Sequence, residues 1–142
     1  GNKIMTRKKG FTLSIVLPVS AEKIYKAWLS SDGHTAMTGS PAKVTGKVGG
    51  KFTAWEGYIF GKMLELEPPH RILQAWRTSE FPVDAPDSTV EILLKEVKGE
   101  TKIMLKHSGM PEDQVDSYKQ GWEDFYFKPM REYFGEQQER IG

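Results

Sequence analysis

Cysteine is absent from this sequence of 142 residues, so disulfide bonds, thiol nucleophiles and cysteine metal ligands are excluded. The three histidines, His34, His70 and His107, have no helical or hairpin ligand spacing of the kind that zinc sites use. We therefore expect no metal ion. Glycine-rich phosphate loops, dinucleotide-binding fingerprints and the Gly-x-Ser-x-Gly motif of hydrolases are also absent, and we expect no cofactor.

The sequence has neither an excess of charge of one sign nor a long hydrophobic run. It carries 20 Lys and Arg against 19 Asp and Glu, a net charge of +1 that argues against nucleic acid or an anionic membrane as a partner. No apolar run approaches the roughly 18 residues of a membrane span, and no signal-peptide core is present. We expect one cytoplasmic domain over residues 1–142, with residues 1–9 as a flexible tail.

The first third of the chain has the pattern of one strand followed by two helices. Residues 11–17 alternate between apolar and polar side chains, as in a half-buried strand, and Pro18 ends the run. Ser20 is a good N-cap for the helix that follows. Residues 31–41 predict a capped turn or a second short helix.

The middle of the chain predicts antiparallel strands that are separated by glycine and proline turns. Turns are marked by Gly49-Gly50, Gly57 and Gly99, and Pro68-Pro69 ends one strand. The last two strands alternate clearly. One face carries Val90, Ile92 and Leu94 on the first strand and Thr101, Ile103, Leu105 and His107 on the second. His107 is therefore expected to face the buried side of the sheet.

The last part of the chain predicts one long helix with an aromatic face. Its apolar residues recur at helical spacing, and Pro129 is expected to kink it. The whole order predicts an α+β fold, with helices gathered on one face of an antiparallel sheet. A curved sheet that wraps around one long helix leaves room for a ligand cavity between the two layers.

Several motifs, taken in this order, resemble a known family. They are "GHTAMTGSPAKV", "VGGKFTAWEGYIFGKMLELEPPHRILQAWR", "TKIMLKHSGMP" and "GWEDFYFKPMREYFG". From about Phe11 to Gly135 the chain resembles the SRPBCC superfamily, also called START-like or helix-grip proteins. Within it, the chain is similar to the AHSA-type domain, the family of homologues of the activator of heat-shock protein 90 ATPase.

The resemblance implies a helix-grip fold, in which a sheet of six or seven strands wraps around the C-terminal helix, with two short helices near the N-terminus. It implies less about activity, because the superfamily includes lipid carriers, hormone receptors, cyclases and oxygenase domains. The AHSA-type match implies a co-chaperone or stress role through a chaperone partner. The chain resembles only the C-terminal part of the eukaryotic activator, whose ATPase stimulation also depends on a separate N-terminal domain.

We expect a small apolar ligand between the sheet and the C-terminal helix. The predicted contacts are the residues expected to face this space: Trp28, Phe52, Leu64, Trp76, Ile92, Leu94, Ile103, Leu105, His107, Trp122, Phe125, Tyr126 and Met130. The aromatic residues among them have two compatible interpretations, as core packing and as the roof of the cavity. A buried Tyr126 would need a partner for its hydroxyl.

His107 has three interpretations: a structural or capping residue, a polar contact to the ligand, and an acid or base in catalysis. Its inward neighbours on the strand, Leu105 and Gly109, cannot orient it for catalysis. A non-enzymatic binding role is therefore favoured, with no catalytic residue assigned. A protein-interaction module related to the chaperone activator is the first alternative. A cyclase- or hydrolase-like enzyme that uses His107 or Tyr126 is the second.

Overall fold

The computed structural model describes residues 9–141, with side chains described as far as Gly135. The predicted tail, residues 1–9, lies outside the described residues except for Lys9. The elements in chain order are β1 (Gly10–Leu17), α1 (Ala21–Trp28), α2 (Ser31–Thr38), β2 (Lys43–Val44), β3 (Lys51–Ala54), β4 (Ile59–Glu67), β5 (Arg71–Thr78), β6 (Ser88–Val97), β7 (Glu100–Ser108), a 3₁₀ turn (Glu112–Gln114), α3 (Val115–Trp122), a π-helical segment (Glu123–Phe127) and α4 (Lys128–Ile141).

Seven strands form one antiparallel sheet in the order β1-β7-β6-β5-β4-β3-β2. Chain neighbours pair along most of the sheet, and β1 joins the far edge by pairing with β7. The C-terminal helix and the two short N-terminal helices pack on this curved sheet. The predicted α+β helix-grip architecture is therefore confirmed.

The alternation of side chains in the last two strands places the core as the sequence predicts. Val90 and Ile92 on β6 are fully buried, as are Ile103 and Leu105 on β7, and Ile92 lies opposite Leu105. His107 is also buried. The inner face of these strands is thus continuous with the apolar core beneath the helices.

The predicted inward position of Leu64 is wrong. The register of β4 against β5 shifts between Met63 and Glu65, so that Leu64 is an extra, unpaired residue in a β-bulge. Met63 faces the core before the bulge and Leu66 packs against the core after it. Leu64 lies on the outer face and is 36% exposed, because a bulge reverses the phase of the alternation.

The C-terminal helix is continuous but not uniform. α3 is followed by the π-helical segment, in which the backbone N–H of Lys128 bonds to the carbonyl of Glu123. Pro129, which has no N–H, follows directly in the first turn of α4. The sequence predicts an irregularity at Pro129, and the structure places it in Glu123–Phe127, which ends two residues before this proline.

None of the helices among residues 9–141 is long and apolar enough to cross a membrane. Among residues 9–135, whose side chains the structure describes, no group of three or more His, Asp or Glu side chains is placed to share a metal ion.

A candidate ligand cavity

A cavity of about 390 Å³ lies between the sheet and the C-terminal helix. On the sheet side it is lined by Trp55 and Tyr58 from the β3–β4 hairpin, Ile59 at the start of β4, and Trp76 on β5. On the helix side it is lined by Ser117, Tyr118, Gly121, Trp122, Phe125 and Tyr126. The volume falls within the range of small-molecule sites, roughly 300–1,000 Å³.

The β3–β4 hairpin positions Trp55 over the cavity. Ala54 pairs with Ile59, which leaves a four-residue loop whose first three residues, Trp55, Glu56 and Gly57, have φ values of 52°, 58° and 89°. The Trp55 ring meets Phe125 edge to face, with 5.2 Å between ring centroids. Phe125 is 52% exposed, so this aromatic pair lies between the cavity and solvent.

A chain of hydrogen bonds ties the hairpin and β5 to the start of the helix. The Tyr58 hydroxyl donates to the carboxylate of Glu80, and the Gln114 side chain donates to the backbone carbonyl of Glu80 at 3.0 Å. The Tyr118 hydroxyl donates to Gln114 Oε1 at 2.5 Å and lies 2.6 Å from Thr78 Oγ1. Burial raises the pKa of Tyr58 and of Tyr118, so both phenols stay protonated at neutral pH.

His107 has two hydrogen-bond partners, one on α3 and one on β6. Trp122 Nε1–H donates to His107 Nδ1 at 2.9 Å, so the ring must carry its proton on Nε2. Nε2 then donates to Ser88 Oγ at 2.9 Å, and the Ser88 hydroxyl donates to the Trp76 carbonyl at 2.6 Å. Burial lowers the pKa of His107 to about 3 and keeps the ring neutral. This arrangement favours the structural interpretation of His107.

His34 and Tyr126 form a second buried pair. His34 Nδ1–H donates to the Trp28 carbonyl at 3.0 Å, which leaves Nε2 to accept from the Tyr126 hydroxyl at 2.7 Å. Burial lowers the pKa of His34 against the opposing effect of the Trp28 carbonyl, and burial raises the pKa of Tyr126. The ring of Tyr126 lines the cavity, while its hydroxyl proton is engaged by His34.

The predicted ligand contacts divide into three groups in the structure. Trp76, Trp122, Phe125 and Tyr126 line the cavity. Leu64 lies on the outer face. The other eight are buried in the core and are not among the residues that line this cavity: Trp28, Phe52, Ile92, Leu94, Ile103, Leu105, His107 and Met130.

Two features of the site could not be found from sequence spacing. Trp55 and Tyr58 lie in a turn, and strand periodicity does not describe turns. The only signal for them in the sequence is the aromatic residue on each side of Glu56-Gly57. The partnership of His34 with Tyr126 spans 92 residues, and nothing near either residue indicates it.

A family model described as "Activator of Hsp90 ATPase homolog 1-like protein" matches residues 18–135. The chain belongs to this family. The human protein "Activator of 90 kDa heat shock protein ATPase homolog 1" is 29% identical to it over 135 residues, which are 95% of this chain and 39% of the human protein. The chain therefore spans about two fifths of the length of that relative.

The solved structures give a consistent fold for this member of the family. An HSP90 activator from Plasmodium falciparum has a TM-score of 0.81 and 29% identity, covering 88% of this chain and 95% of that chain. The Aha1 dimer from Colwellia psychrerythraea has a TM-score of 0.73 at 20% identity, covering 87% and 94%. At that lower identity the likeness shows the fold alone.

Proposed function

We propose that this protein binds a small, largely apolar ligand in the cavity between the β3–β4 hairpin and the C-terminal helix. The observation that carries the proposal is the cavity itself, about 390 Å³ in volume and lined mainly by aromatic rings. Sites for small organic molecules are concave, predominantly apolar and furnished with a few polar groups. Here the lining residues with hydroxyl groups of this kind are Tyr58, Tyr118 and Ser117.

At one point of the cavity lining, the absence of a side chain at Gly121 leaves space open. Gly121 lies within α3, where alanine would be preferred by about 1 kcal/mol. A Cβ atom at this position would meet only Phe125 Cδ2, at 3.8 Å, so no steric conflict requires glycine here. A larger side chain at 121 would project into the cavity, and its absence leaves room for a ligand.

The geometry favours binding over catalysis. His107 and Tyr126 each have a polar partner, Ser88 and His34 respectively, at hydrogen-bond distance. However, His107 and His34 are both buried, and neither is among the residues that line the cavity. A general base must come within hydrogen-bond reach of the proton that it abstracts. We therefore assign no catalytic residue.

The proposal is tested by titration with 1-aminoanthracene, a flat apolar dye whose fluorescence rises when it leaves water. We expect saturable binding of one dye per chain to the unaltered protein. Gly121→Leu should abolish binding, because the new side chain fills the cavity. Gly135→Leu is the matched control, since it also replaces a glycine of the C-terminal helix, at a position outside the cavity lining where an added Cβ atom has no neighbour within 4 Å. Unchanged binding to Gly121→Leu, or no binding to the unaltered protein, would overturn the proposal.

A second candidate function is docking to a 90-kDa heat-shock protein, which would place the protein in the cytoplasm as a co-chaperone. The observation that favours it is the similarity over 95% of this chain to a human protein named as an activator of that chaperone's ATPase. This chain spans only 39% of that relative. Docking to the chaperone and stimulation of its ATPase are therefore treated as two separate properties.

The docking proposal is tested by calorimetric titration of this protein against the 90-kDa chaperone of the same cell, with ATP hydrolysis measured in parallel. We expect measurable binding, with or without a change in the hydrolysis rate. Absence of binding at protein concentrations near 100 μM, an affinity of about −5.5 kcal/mol, would contradict it.

A further inference from the structure

We propose that the outer face of the sheet, on the side away from the cavity, is a docking surface for an acidic amphipathic helix of a partner protein. The juxtaposition that carries the inference is a continuous row of apolar side chains across this face, with lysines on both sides of it that form no salt bridge among residues 9–135. The inference goes beyond ligand binding, because it concerns the opposite face of the sheet from the cavity.

The apolar row, which we call the outer stripe, crosses five strands diagonally. From β4 through β5, β6 and β7 to β1, its members are Leu64, Leu73, Leu93, Met104 and Val16. Leu93 lies directly opposite Met104. The other contacts are diagonal: Leu73 lies opposite the residue two positions before Leu93, and Met104 lies opposite the residue two positions before Val16. Diagonal neighbours are about 7–8 Å apart, within reach of long side chains.

The outer stripe is open to solvent along its whole length. Val16 is 56% exposed and Leu64 is 36% exposed, and the three residues between them are half-buried. Leu64 is on this face because of the β-bulge, which places it next to Glu65, the residue opposite Leu73. Single exposed apolar side chains are ordinary on a protein surface. A contiguous apolar row with a polar rim is instead typical of an interaction site.

The carboxylates of the outer face are paired, whereas the lysines beside the outer stripe are not. Arg71 Nη1 lies 2.7 Å from Glu65 and 2.9 Å from Glu67, and Arg71 Nε lies 2.7 Å from Glu91. Four exposed lysines lie two residues from a member of the outer stripe on the same strand, and therefore on the same face. Among the residues whose side chains the structure describes, these four form no salt bridge: Lys62, Lys95, Lys102 and Lys106.

The arrangement of these lysines specifies the charge of the partner. Lys95 lies directly opposite Lys102, and like charges at opposite positions destabilise a sheet. Lys102 and Lys106 lie on either side of Met104 along β7. Carboxylates of a partner at these positions would offset the repulsion, while its apolar side chains cover Leu93 and Met104. An acidic partner with an apolar stripe is thus complementary to this surface.

The dimensions of the outer stripe fit a helix. From Leu64 to Val16 it crosses four strand spacings of about 4.8 Å and shifts by four residues of about 3.3 Å along the strands, which together make about 23 Å. At 1.5 Å per residue this length corresponds to a helix of about 15 residues. An amphipathic helix presents its apolar side chains in one such stripe. An added β-strand binds along one edge of a sheet, and it would not cover a row that crosses several strands.

Two other occupants fit the charges of this face less well. A second copy of the chain would bring the lysines of two outer faces together. An anionic membrane is negative everywhere, whereas Glu65 and Glu67 lie on this face near the Leu64 end of the outer stripe. A helix can place its carboxylates opposite the lysines alone.

The test uses a 16-residue peptide with leucines along one helical face and glutamates on both sides of them, and a second peptide with lysine in place of each glutamate. Calorimetric titration should show that the acidic peptide binds the unaltered protein about tenfold more tightly than the basic one. In the double variant Lys95→Glu/Lys102→Glu the affinity for the acidic peptide should fall about tenfold, because two attractions become repulsions. This variant keeps like charges opposite each other, so the repulsion within the sheet is unchanged.

Lys23→Glu/Lys119→Glu is the matched control. It changes the net charge by the same amount, at exposed positions on α1 and α3 away from the outer stripe. Its affinity for the acidic peptide should stay within about twofold of that of the unaltered protein. A ¹H–¹⁵N spectrum of the unaltered protein needs no variant: the acidic peptide should shift the amide signals of Leu93 and Met104, and should leave that of Gly121 in the cavity lining unchanged.

The inference is overturned if the acidic peptide does not bind, if the two peptides bind alike, or if the two double variants lose affinity equally. Vesicles of phosphatidylserine and phosphatidylcholine in equal parts test the membrane alternative. Binding of these vesicles without binding of the acidic peptide would overturn the inference as well. Dye binding in the cavity is measured separately, so the proposed function stands in each of these cases.

Discussion

At the scale of single residues, hydrogen bonds through the His107 ring connect its own strand, β7, with one helix and two other strands. Trp122 on α3 donates to the ring, the ring donates to Ser88 on β6, and Ser88 donates to the carbonyl of Trp76 on β5. Trp122, His107 and Ser88 each donate to the next residue in this series. The series therefore requires the neutral Nε2–H tautomer of His107.

Trp122→Phe should therefore destabilise the protein more than Trp28→Phe does. Both tryptophans are buried, but Trp122 Nε1 has His107 as a partner whereas Trp28 Nε1 has none. The first change leaves the acceptor Nδ1 of His107 buried and unsatisfied, at a cost of about 1–3 kcal/mol beyond the lost packing. Urea unfolding of the two variants measures the difference. Equal losses would show that the hydrogen bond contributes nothing.

The stability of the protein should fall as the pH is lowered from 7 to 5. The pKa of His107 is about 3 in the folded state and about 6.5 when unfolded. Below pH 6.5 the unfolded chain therefore binds a proton that the folded chain does not, and the free energy of unfolding drops. Burial lowers the pKa of His34 in the same direction. Each histidine contributes a slope of up to about 1.4 kcal/mol per pH unit.

The variant His107→Gln isolates one contribution to this slope. Its free energy of unfolding should depend less steeply on pH between 7 and 5, because one proton fewer is taken up on unfolding. Urea unfolding at four pH values gives both slopes. A variant as steep as the unaltered protein would mean that His107 is already able to protonate in the folded state.

At this scale the sequence predicts which way a side chain points, but it does not predict the hydrogen-bond partners of that side chain. The alternation of β7 predicts that His107 faces inward, and the structure confirms it. Its partners Ser88 and Trp122 are 19 and 15 residues away, on elements whose relative placement depends on tertiary packing. His34 gave no signal at all, because a lone histidine in a short helical segment has no pattern to identify it.

At the scale of secondary-structure elements, the junction of α1 and α2 is set by close backbone contact. Ser20 and Ser30 cap the two helices by accepting from the backbone N–H of Lys23 and Gly33. Gly33 lies so close to α1 that a Cβ atom would be 2.6 Å from Ala27 Cα. The two helices can pack at this distance only because position 33 has no side chain.

Gly33→Ala should destabilise the protein, although the same exchange in a helix normally stabilises it by about 0.5–1 kcal/mol. The expected loss is about 1–3 kcal/mol, because the contact is with backbone and the helices must separate. Gly135→Ala is the control, with no atom near the new Cβ, and should show the ordinary gain. Thermal unfolding compares them. A gain in both variants would contradict the close approach of α1 and α2.

The C-terminal helix shows which features of a secondary-structure element can be predicted from the sequence. Its existence follows from apolar periodicity, and Pro129 indicates an irregularity. Apart from Phe127, the buried residues recur at intervals of four: Tyr118, Trp122, Tyr126, Met130 and Phe134. With 3.6 residues per turn, each step of four would rotate by about 40° away from the core. A π-helical segment winds more slowly and offsets this rotation, so the four-residue spacing is a signal of such a segment in the sequence.

At the scale of the whole molecule, the fold and a cavity between the sheet and the C-terminal helix could be predicted, but most of the residues that line the cavity could not. Strand alternation, glycine turns and the aromatic helix together specify a sheet wrapped around a helix. Part of the lining comes from the β3–β4 hairpin loop and from one helical glycine, Gly121, and the periodicity of strands and helices does not identify such positions. Thus four predicted contacts line the cavity, while Trp55, Tyr58, Ile59, Ser117, Tyr118 and Gly121 do so as well.

Gly121→Leu should stabilise the ligand-free protein. The new side chain gains helix propensity and is buried in the cavity instead of remaining in water. We expect the free energy of unfolding to rise by about 1–2 kcal/mol more than in Gly135→Leu, which gains helix propensity only. Urea unfolding measures both. A net loss of stability in Gly121→Leu would indicate that the space is too small to accept a side chain, and hence a ligand.

Native mass spectrometry of the protein purified from its own cells tests the central claim most directly. The account predicts an added small molecule on the unaltered protein, released on denaturation and absent from Gly121→Leu prepared in the same way. The account would be contradicted if the unaltered protein carried no added mass, both as purified and after incubation with excess 1-aminoanthracene. Retention of the same added mass by Gly121→Leu would contradict it equally.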